Sequence, residues 1–414
     1  MARISGNTTE DGRIIIINED NWSIEHNETV LAGEYEANSV SDGNKTVIFR
    51  RNDGKSAGFG GVEVYETIFM YSCGYNNNGQ LGLGDGVNRS ILTQVGTDID
   101  WKSISCSTYY TFAIKKDDTM WSCGNNSWGQ LGLDGGGSRY TFTKVGTDTN
   151  WKSVSCDNNQ TLALKTDGTL WSCGANNYGQ LGQNDRVYRS TFTKVGIATN
   201  WKDVSCGYGH NLAIKTDGTM WSCGYNRWGQ LCLNSVVDRS ILTKVGTASN
   251  WKSVSCGTYH TVALKTDGTL WGCGHNGYGQ LGQNDRTNRS TLTKIGTANN
   301  WESINGGGYH TLAIKTDGTL WGCGRNTFGE LGLNNTVDRS TLTKIGTATN
   351  WKSISCGEHA LALKTDGTLW VCGRNDYGQL GLGNTTHRSI FNKIGTATDW
   401  KYASSGGIHT LALK

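Results

Sequence analysis

A unit of about 50 residues recurs along most of this chain, and no other feature constrains the fold as strongly. Each unit contains a Trp-Lys-Ser-type segment, then Thr-Leu-Ala-Leu-Lys, then Thr-Asp-Gly-Thr-Leu-Trp, and finally Gly-Gln-Leu-Gly. The first tryptophan of the unit recurs at Trp101, Trp151, Trp201, Trp251, Trp301, Trp351 and Trp400. Because a single unit of this size cannot bury its apolar face alone, the period predicts units that stack against one another. Function is therefore expected where the copies differ.

Each unit carries the pattern of four short strands. In the copy that begins at Trp151, residues 151–156 alternate large and small side chains, and residues 161–165 form a second apolar segment. An Asp-Gly hairpin signal leads into residues 169–173, and residues 192–195 make a fourth strand. Four antiparallel strands per unit, present seven times, predict an all-β fold with a seven-bladed β-propeller. We assign this propeller to residues 67–414.

The two ends of the repeat region complement each other. The last unit stops at Thr410–Lys414, before its hairpin and return strand, whereas residues 67–74 match that return strand. We therefore predict that Thr410–Lys414 pairs antiparallel with Thr67–Ser72 and closes the ring. Closure removes the sheet edges that an open array exposes.

Residues 1–66 lie outside the repeats. Strand patterns at Arg13–Asn18, Gly33–Ala37 and Lys45–Arg50, separated by Asn- and Gly-rich turns, predict a small N-terminal β-sandwich. Its order is similar to transthyretin-like and carboxypeptidase-regulatory-like modules. We predict that residues 1–66 form an anchoring domain.

The composition argues against several classes of protein. A net charge of +3 over 414 residues gives no electrostatic basis for binding nucleic acid or a membrane surface. No apolar run is long enough for a membrane-spanning helix, and the N-terminus lacks the apolar core of a secretory signal, which predicts synthesis in a cytoplasm. Neither a phosphate-binding loop nor His-Glu-x-x-His occurs. We predict no enzymatic activity, no cofactor and no metal.

The 13 cysteines form two columns, with Cys232 at a position where other units have glycine. The columns are not lost in pairs, as obligate disulfides would be, and no Cys-x-x-Cys spacing supports zinc. Most of these thiols are therefore predicted to be free and buried. Disulfides remain the alternative.

Four further columns of recurring residues are each given a structural interpretation, and one of them, the histidine column, also has a functional alternative. A ring of imidazoles can bind metal, but Tyr110 and Gln160 occupy the same column in other units, which favours buried, hydrogen-bonded histidines. The aligned histidines are His210, His260, His310, His359 and His409. An arginine recurring once per unit, as at Arg89 and Arg189, is predicted to tie neighbouring blades, and the asparagine column from Asn76 is predicted to cap its own loop. Aromatic residues before Gly-Gln, such as Tyr178, are predicted to pack on the next blade.

The motifs Ser-Cys-Gly-x-x-His-Thr-Leu-Ala-Leu-Lys, Thr-Asp-Gly-Thr-Leu-Trp and Gly-x-Asn-x-x-Gly-Gln-Leu-Gly resemble the RCC1 repeat, the family of the regulator of chromosome condensation. The resemblance covers residues 67–414 and implies the same seven-bladed fold. The chain departs from the family pattern because it has no proline, which the family places before its outer strand, where Thr193 stands.

Strand direction separates the two ends of the predicted propeller. The turns before the histidine column and the loops after Trp-x-Cys-Gly share one end, where the copies differ, whereas the Asp-Gly hairpins at the other end are nearly uniform. A uniform framework with one diversified loop face is typical of recognition scaffolds. Neutral drift is the alternative. The predicted partner-binding residues are Tyr75, Tyr109, Tyr225, Arg227, Tyr259, His275, Tyr309, Arg325 and Arg374.

An N-terminal β-sandwich joined to regular RCC1-like repeats resembles bacteriophage tail or capsid appendage proteins. This resemblance implies a virion component, with a cytoplasmic protein as the alternative, whose propeller binds neighbouring subunits or a host cell-surface protein or glycan. The other hypotheses are a guanine-nucleotide exchange factor and a propeller-type protein inhibitor. Exchange factors of the family carry a wedge and a basic tail that this chain lacks, and such inhibitors are secreted. The plant ultraviolet-receptor motif Gly-Trp-Arg-His-Thr is Gly-Thr-Tyr-His-Thr at residues 257–261.

Overall fold

The computed structural model describes residues 67–414 in full and, within residues 1–66, only the backbone of seven strands. The chain divides into two units, one of residues 1–69 with 98–100 and one of residues 70–97 with 101–414. No helix in the described part is long and apolar enough to cross a membrane.

The first unit contains one hydrogen-bonded sheet of seven strands. The strands β1 to β7 are Arg3–Thr8, Ile14–Ile17, Trp22–Glu25, Tyr35–Ala37, Val47–Arg51, Ser56–Phe59 and Glu63–Glu66. They are ordered β6-β5-β4-β1-β2-β3-β7. The three strands predicted from sequence correspond to β2, β4 and β5. This single strand order does not show a sandwich of two sheets, and the sandwich therefore stays a prediction.

The second unit is a seven-bladed propeller in which every blade is a four-stranded antiparallel sheet, as predicted. We number the blades by their first strands, and blade 7 takes its third and fourth strands from the start of the repeat region. The first, innermost strands are Trp101–Cys106, Trp151–Asp157, Trp201–Cys206, Trp251–Cys256, Trp301–Gly306, Trp351–Cys356 and Tyr402–Ser405. The second strands are Tyr110–Lys115, Gln160–Lys165, His210–Lys215, His260–Lys265, His310–Lys315, His359–Lys364 and His409–Leu413. The third strands are Met120–Gly124, Leu170–Gly174, Met220–Gly224, Leu270–Gly274, Leu320–Gly324, Leu369–Gly373 and Met70–Gly74. The fourth, outer strands are Arg139–Lys144, Arg189–Lys194, Arg239–Lys244, Arg289–Lys294, Arg339–Ile345, Arg388–Lys393 and Arg89–Gln94.

Blade 7 closes the ring as the sequence predicted. His409–Leu413 pairs antiparallel with Met70–Gly74, in the register that places Leu411 opposite Ser72 and Leu413 opposite Met70. The partner strand begins at Met70 instead of the predicted Thr67. The ring is therefore joined by pairing of the two ends of the repeat region.

The hydrophobic core lies between blades. Leu212 and Met220 of blade 3 pack in one buried cluster with Trp251, Val254 and Cys273 of blade 4, and equivalent clusters join other neighbouring blades. The innermost strands of five blades also donate a backbone hydrogen bond to a serine Oγ of the preceding blade, as from Cys206 N to Ser155 Oγ at 3.0 Å. These contacts explain why one unit cannot fold alone.

Eleven of the cysteines are free and buried, which confirms the predicted state of most thiols. The exception is a disulfide between Cys232 of blade 3 and Cys273 of blade 4. Cys232 has a φ of 60° at a position where other repeats have glycine. At the equivalent Gly282, an added Cβ atom would lie 3.3 Å from the sulfur of Cys323. A cysteine in place of this glycine therefore brings two sulfurs together.

Thiol titration in denaturant without reductant should detect 11 thiols, and 13 after reduction. Replacement of Cys232 by glycine, the residue of the other repeats, should leave Cys273 free and give 12 thiols without reductant, because only this pair is joined. Finding five or more disulfides in the unreduced protein would contradict the assignment.

A candidate recognition face at the loop end of the propeller

The turns between first and second strands and the loops after third strands lie at the same end of the propeller. Within each blade the two are hydrogen-bonded: His275 N donates to Tyr259 O at 2.9 Å, and Arg325 N donates to Tyr309 O at 2.9 Å. We call these turns and loops, such as 257–259 and 275–280, the loop face. Their placement follows from the antiparallel order of the strands.

Buried amides hold the loops in shape. In blade 3, Asn226 is fully buried, its Oδ1 accepts from Leu231 N at 2.9 Å, and its Nδ2 donates to Ser235 O at 2.8 Å. The side chain of Gln230 accepts from Trp228 N at 2.9 Å. The prediction that the asparagine column caps its own loop is confirmed. A fixed backbone presents the variable side chains at constant positions.

Aromatic residues of blades 2 to 5 form one continuous cluster on the loop face. The ring centroids of Tyr225 and Tyr259 lie 6.2 Å apart, and those of Tyr259 and Tyr309 lie 6.1 Å apart. His275 contacts Tyr309 at 6.0 Å and Trp228 at 5.0 Å. Burial lowers the pKa of the half-buried His275, which favours its neutral form. The cluster therefore presents rings and hydroxyls with little charge.

A charged group continues this cluster into blades 5 and 6. The guanidinium of Arg325 lies 4.9 Å from the ring centroid of Tyr309, donates to Glu330 Oε1 at 2.9 Å and also pairs with Glu358. Arg374 lies 4.0 Å from the same Glu358 carboxylate. Loss of hydration opposes the charge of Arg325, but the two carboxylates outweigh it and raise its pKa. Aromatic and charged residues thus form one contiguous surface.

The structure brings together seven of the nine residues predicted from sequence. Six belong to the two groups just described, and the exposed Arg227 lies over the ring of Trp228 at 6.0 Å. The other two, Tyr75 and Tyr109, form a separate pair with centroids 6.4 Å apart, which Tyr377 joins at 4.9 Å. The face thus has a large group and a small one.

Sequence reasoning missed residues that complete the large group. Tyr178 contacts Tyr225 of the next blade at 4.7 Å, and Tyr278 contacts Tyr309 of the next blade at 5.2 Å. The predicted packing of this aromatic column on the next blade is therefore confirmed, and the same contacts enlarge the face. Glu330 was detectable as the single glutamate in a column of glutamines.

The arginine column does not tie blades together, contrary to the prediction. Arg189 Nη2 pairs with Asp185 Oδ2 at 2.6 Å, four residues earlier in its own loop, and Arg89 pairs with Asp85 in the same way. A short i,i+4 contact forms more readily than a contact across blades because less chain must be ordered. These arginines shape the loops from within.

The inner strands surround a central channel of about 620 Å³, which opens among the turns of the loop face. Serine and glycine are the most frequent residues of its lining, which also contains the acidic residues Asp157, Asp203 and Glu358. Burial, with a smaller contribution from Glu358, raises the pKa of Asp157 to about 7. One lining hydroxyl, that of Ser405, lies 3.1 Å from Nε2 of His359, which is fully buried.

The five aligned histidines are buried, as predicted, and four of them are hydrogen-bonded through the ring, whereas neither ring nitrogen of His310 has a hydrogen-bond partner among the described residues. Each has zero exposure, and His260 Nε2 lies 3.0 Å from Thr311 Oγ1 of the next blade. His359 makes the same contact with Thr410 at 2.7 Å. Within residues 67–414, no group of three or more potential ligands could hold a metal ion. Burial lowers the pKa of these imidazoles, to about 3 for His260, so they are neutral.

A family model of the regulator of chromosome condensation (RCC1) repeat matches residues 69–114, 167–214, 217–264, 267–314, 317–363 and 366–413. A second model of the same repeat matches residues 151–180, 201–230, 251–280, 301–330 and 351–379. Among curated proteins the chain has no significant sequence match.

Solved structures with the same fold include human WBSCR16, which is 23% identical, with a TM-score of 0.76 and coverage of 84% of this chain and 98% of that one. Yeast RCC1 (Prp20), solved bound to Kap60, is 19% identical, with a TM-score of 0.76 and coverage of 84% and 88%. Prp20p from Saccharomyces cerevisiae, solved in a study of its binding to Gsp1p and histones, is 20% identical, with a TM-score of 0.76 and coverage of 84% and 91%. At these identities the likeness shows the fold alone. Because the repeat models match more than half of the residues and the fold is a seven-bladed propeller, the chain belongs to the RCC1 repeat family.

Proposed function

We propose that this chain is a non-enzymatic binding protein whose loop face recognises a partner protein. The observation that supports this most directly is the contiguous surface from Tyr225 through Tyr259 and Tyr309 to Arg325 and Arg374. Tyrosine and arginine contribute most binding energy where an interface excludes water, and rigid loops lower the entropy lost on binding. In this chain the tyrosine and arginine side chains lie on loops that a repeated framework holds in place.

The relatives support a binding role in general terms. Yeast Prp20 has been solved bound to Kap60, and the other Prp20p structure accompanies its binding to Gsp1p and histones. A propeller of this family therefore serves as a protein-binding scaffold in at least one case. For this chain, the partner is a protein recognised through aromatic and charged side chains.

We place this activity in a larger assembly, with residues 1–66 as the anchor and the propeller as the recognition module. A virion appendage that binds a neighbouring subunit or a host surface is the setting we favour, and a cytoplasmic protein is the alternative. An exchange-factor or inhibitor role stays a second hypothesis. Each setting predicts a different partner for the same face.

The face can be tested with a photo-crosslinking amino acid placed at Tyr225, and at Thr216 as a matched control. Thr216 is exposed beside an Asp-Gly hairpin, away from the loop face. Mass spectrometry after irradiation of the native assembly should identify a protein crosslinked through position 225 but not through position 216. Crosslinks to a nucleotide-dependent switch protein would favour the exchange-factor hypothesis, and crosslinks to virion subunits the structural one.

Replacing Tyr225, Arg227 and Tyr259 together by alanine should weaken binding of that partner at least a hundredfold, because each change removes a large exposed or half-buried contact. The affinity can be measured by surface plasmon resonance. The control triple variant, Thr216→Ala with Thr247→Ala and Ser249→Ala, alters exposed residues at the opposite end and should bind normally. If the control loses binding and the first variant keeps it, the proposed face is wrong.

A further inference from the structure

A lysine ammonium lies between two indole rings in the blades of this propeller, away from the loop face. The Nζ of Lys165 is 4.8 Å from the ring centroid of Trp151 and 4.2 Å from that of Trp171. Lys315 and Lys364 are placed in the same way between their own tryptophan pairs, at distances of 4.3 to 5.0 Å. The faces of the rings stabilise the cation.

In blade 2 a carboxylate of the chain itself completes this arrangement. Asp148 Oδ2 lies 2.9 Å from Lys165 Nζ, and the lysine side chain is only 8% exposed. The lysine-tryptophan pair therefore accepts a carboxylate within this fold.

Blades 5 and 6 lack that carboxylate and contain a cavity instead. The residues equivalent to Asp148 are Ala298 and Ala348. Ala298 borders a cavity of about 470 Å³ that is also lined by Lys315, and Ala348 borders one of about 480 Å³ lined by Lys364. Both lysines are half-buried, and within residues 67–414 neither forms an ion pair. An ammonium group and apolar walls thus face an open volume.

We propose that the two cavities, which we call the lysine-tryptophan pockets, bind the carboxylate side chains of aspartate or glutamate residues of a partner polypeptide. The evidence is the chain's own Asp148, which occupies the equivalent place in blade 2 with an aspartate side chain. The walls suit such a residue, because Trp301, Trp321 and Leu342 provide apolar surface for its methylene groups. Charge complementarity selects an acidic segment over a neutral one.

This site is separate from the loop face and does not depend on the function proposed for it. A single ammonium-carboxylate contact near the surface is weak, so one pocket alone should bind a small acidic peptide with a dissociation constant on the order of millimolar. Two pockets in adjacent blades can act together on one acidic segment, which raises the apparent affinity.

The test uses the full chain labelled with 5-fluorotryptophan, with the signals of Trp301, Trp321, Trp351 and Trp370 assigned by single Trp→Phe replacements. The probe is the blocked tripeptide N-acetyl-Gly-Asp-Gly-amide, and its matched control is the Asn analogue. The Asp peptide should shift these four fluorine signals, and the Asn peptide should not. Equal shifts with both peptides, or none at about 50 mM of the Asp peptide, would overturn the proposal.

Matched variants test the pockets directly. Ala298→Asp with Ala348→Asp should reduce binding of the Asp peptide at least tenfold, because each new carboxylate occupies its own pocket as Asp148 does. This variant should also melt higher at low salt than Ala298→Asn with Ala348→Asn, which adds similar volume without charge. A separate titration uses inorganic phosphate in place of the peptide. Fluorine signal shifts as large as those caused by the Asp peptide would contradict selection of a carboxylate. The loop-face triple variant should bind the Asp peptide normally, so failure of either proposal is recognised independently.

Discussion

Removing Thr410–Lys414 is expected to abolish the stable propeller. These residues form most of the second strand of blade 7, which is hydrogen-bonded both to Tyr402–Ser405 and to Met70–Gly74. Leu411 is fully buried, so the deletion removes core packing together with both ladders. Loss of two buried leucines alone costs about 4 to 10 kcal/mol, comparable with the whole stability of a typical domain.

Thermal melting followed by circular dichroism and tryptophan fluorescence measures the effect. Leu411→Ala should show a smaller loss, of about 2 to 5 kcal/mol, because the strand remains. Lys414→Ala is the matched control at the chain end: its ammonium lies 3.7 Å from a partly exposed Asp399, so its removal should change the free energy of unfolding by less than about 1 kcal/mol. A truncated protein that melts like the full chain would contradict closure by strand pairing.

Lowering the pH from about 7.5 to about 5.5 should reduce the free energy of unfolding by up to about 7 kcal/mol. Burial lowers the pKa of His210 to about 4 and that of His260, His310, His359 and His409 to about 3. Because these folded-state values lie below the usual 6.5, the unfolded chain binds protons first as the pH falls. The stability is fully present above pH 6.5 and is lost below it, by about 1.4 kcal/mol per histidine at pH 5.5. Asp157 has the opposite sign, since its raised pKa of about 7 stabilises the fold as the pH falls, and it reduces this loss.

Urea unfolding at a series of pH values measures this dependence. The chain offers a matched control, because Gln160 occupies the histidine position of blade 2 and donates to the backbone of Gly207 at 2.5 Å. His260→Gln should therefore fold and lose about 1.4 kcal/mol less than the parent between these pH values. A free energy of unfolding that stays constant from pH 7.5 to 5.5 would contradict the prediction, because it would show that the folded protein takes up as many protons as the unfolded chain over this range.

The architecture of the propeller could be predicted from sequence because its determinants are local and repeated. The hairpin signal at Asp167-Gly168 and the alternation of residues 161–165 each specify one element. Because these signals recur in the other units, each copy supports the same prediction. Closure was also predictable, since residues 67–74 match the strand that the last unit lacks. The prediction that most thiols are free followed from the sequence, because the two cysteine columns are not lost in pairs as disulfide partners would be.

Other features depended on contacts between residues far apart in sequence. The disulfide of Cys232 was not predicted, because only the fold places that position beside Cys273 of the next blade. The arginine column was misassigned because an identical residue in every unit is compatible with a bond across blades and with one inside a loop. Repetition alone cannot distinguish these two cases.

The sequence by itself determined the strands, the number of blades, the closing pair and the end of the propeller at which the copies differ. Only the tertiary structure decided which of the varied residues form one surface, that Tyr225, Tyr259, Tyr309 and Arg325 are contiguous, and that Tyr75 and Tyr109 are apart from them. The physical reason is that hydrophobic periods and turn signals specify the conformation of a few neighbouring residues. A surface is instead assembled from side chains about 50 residues apart, and their rotamers depend on the adjacent blade.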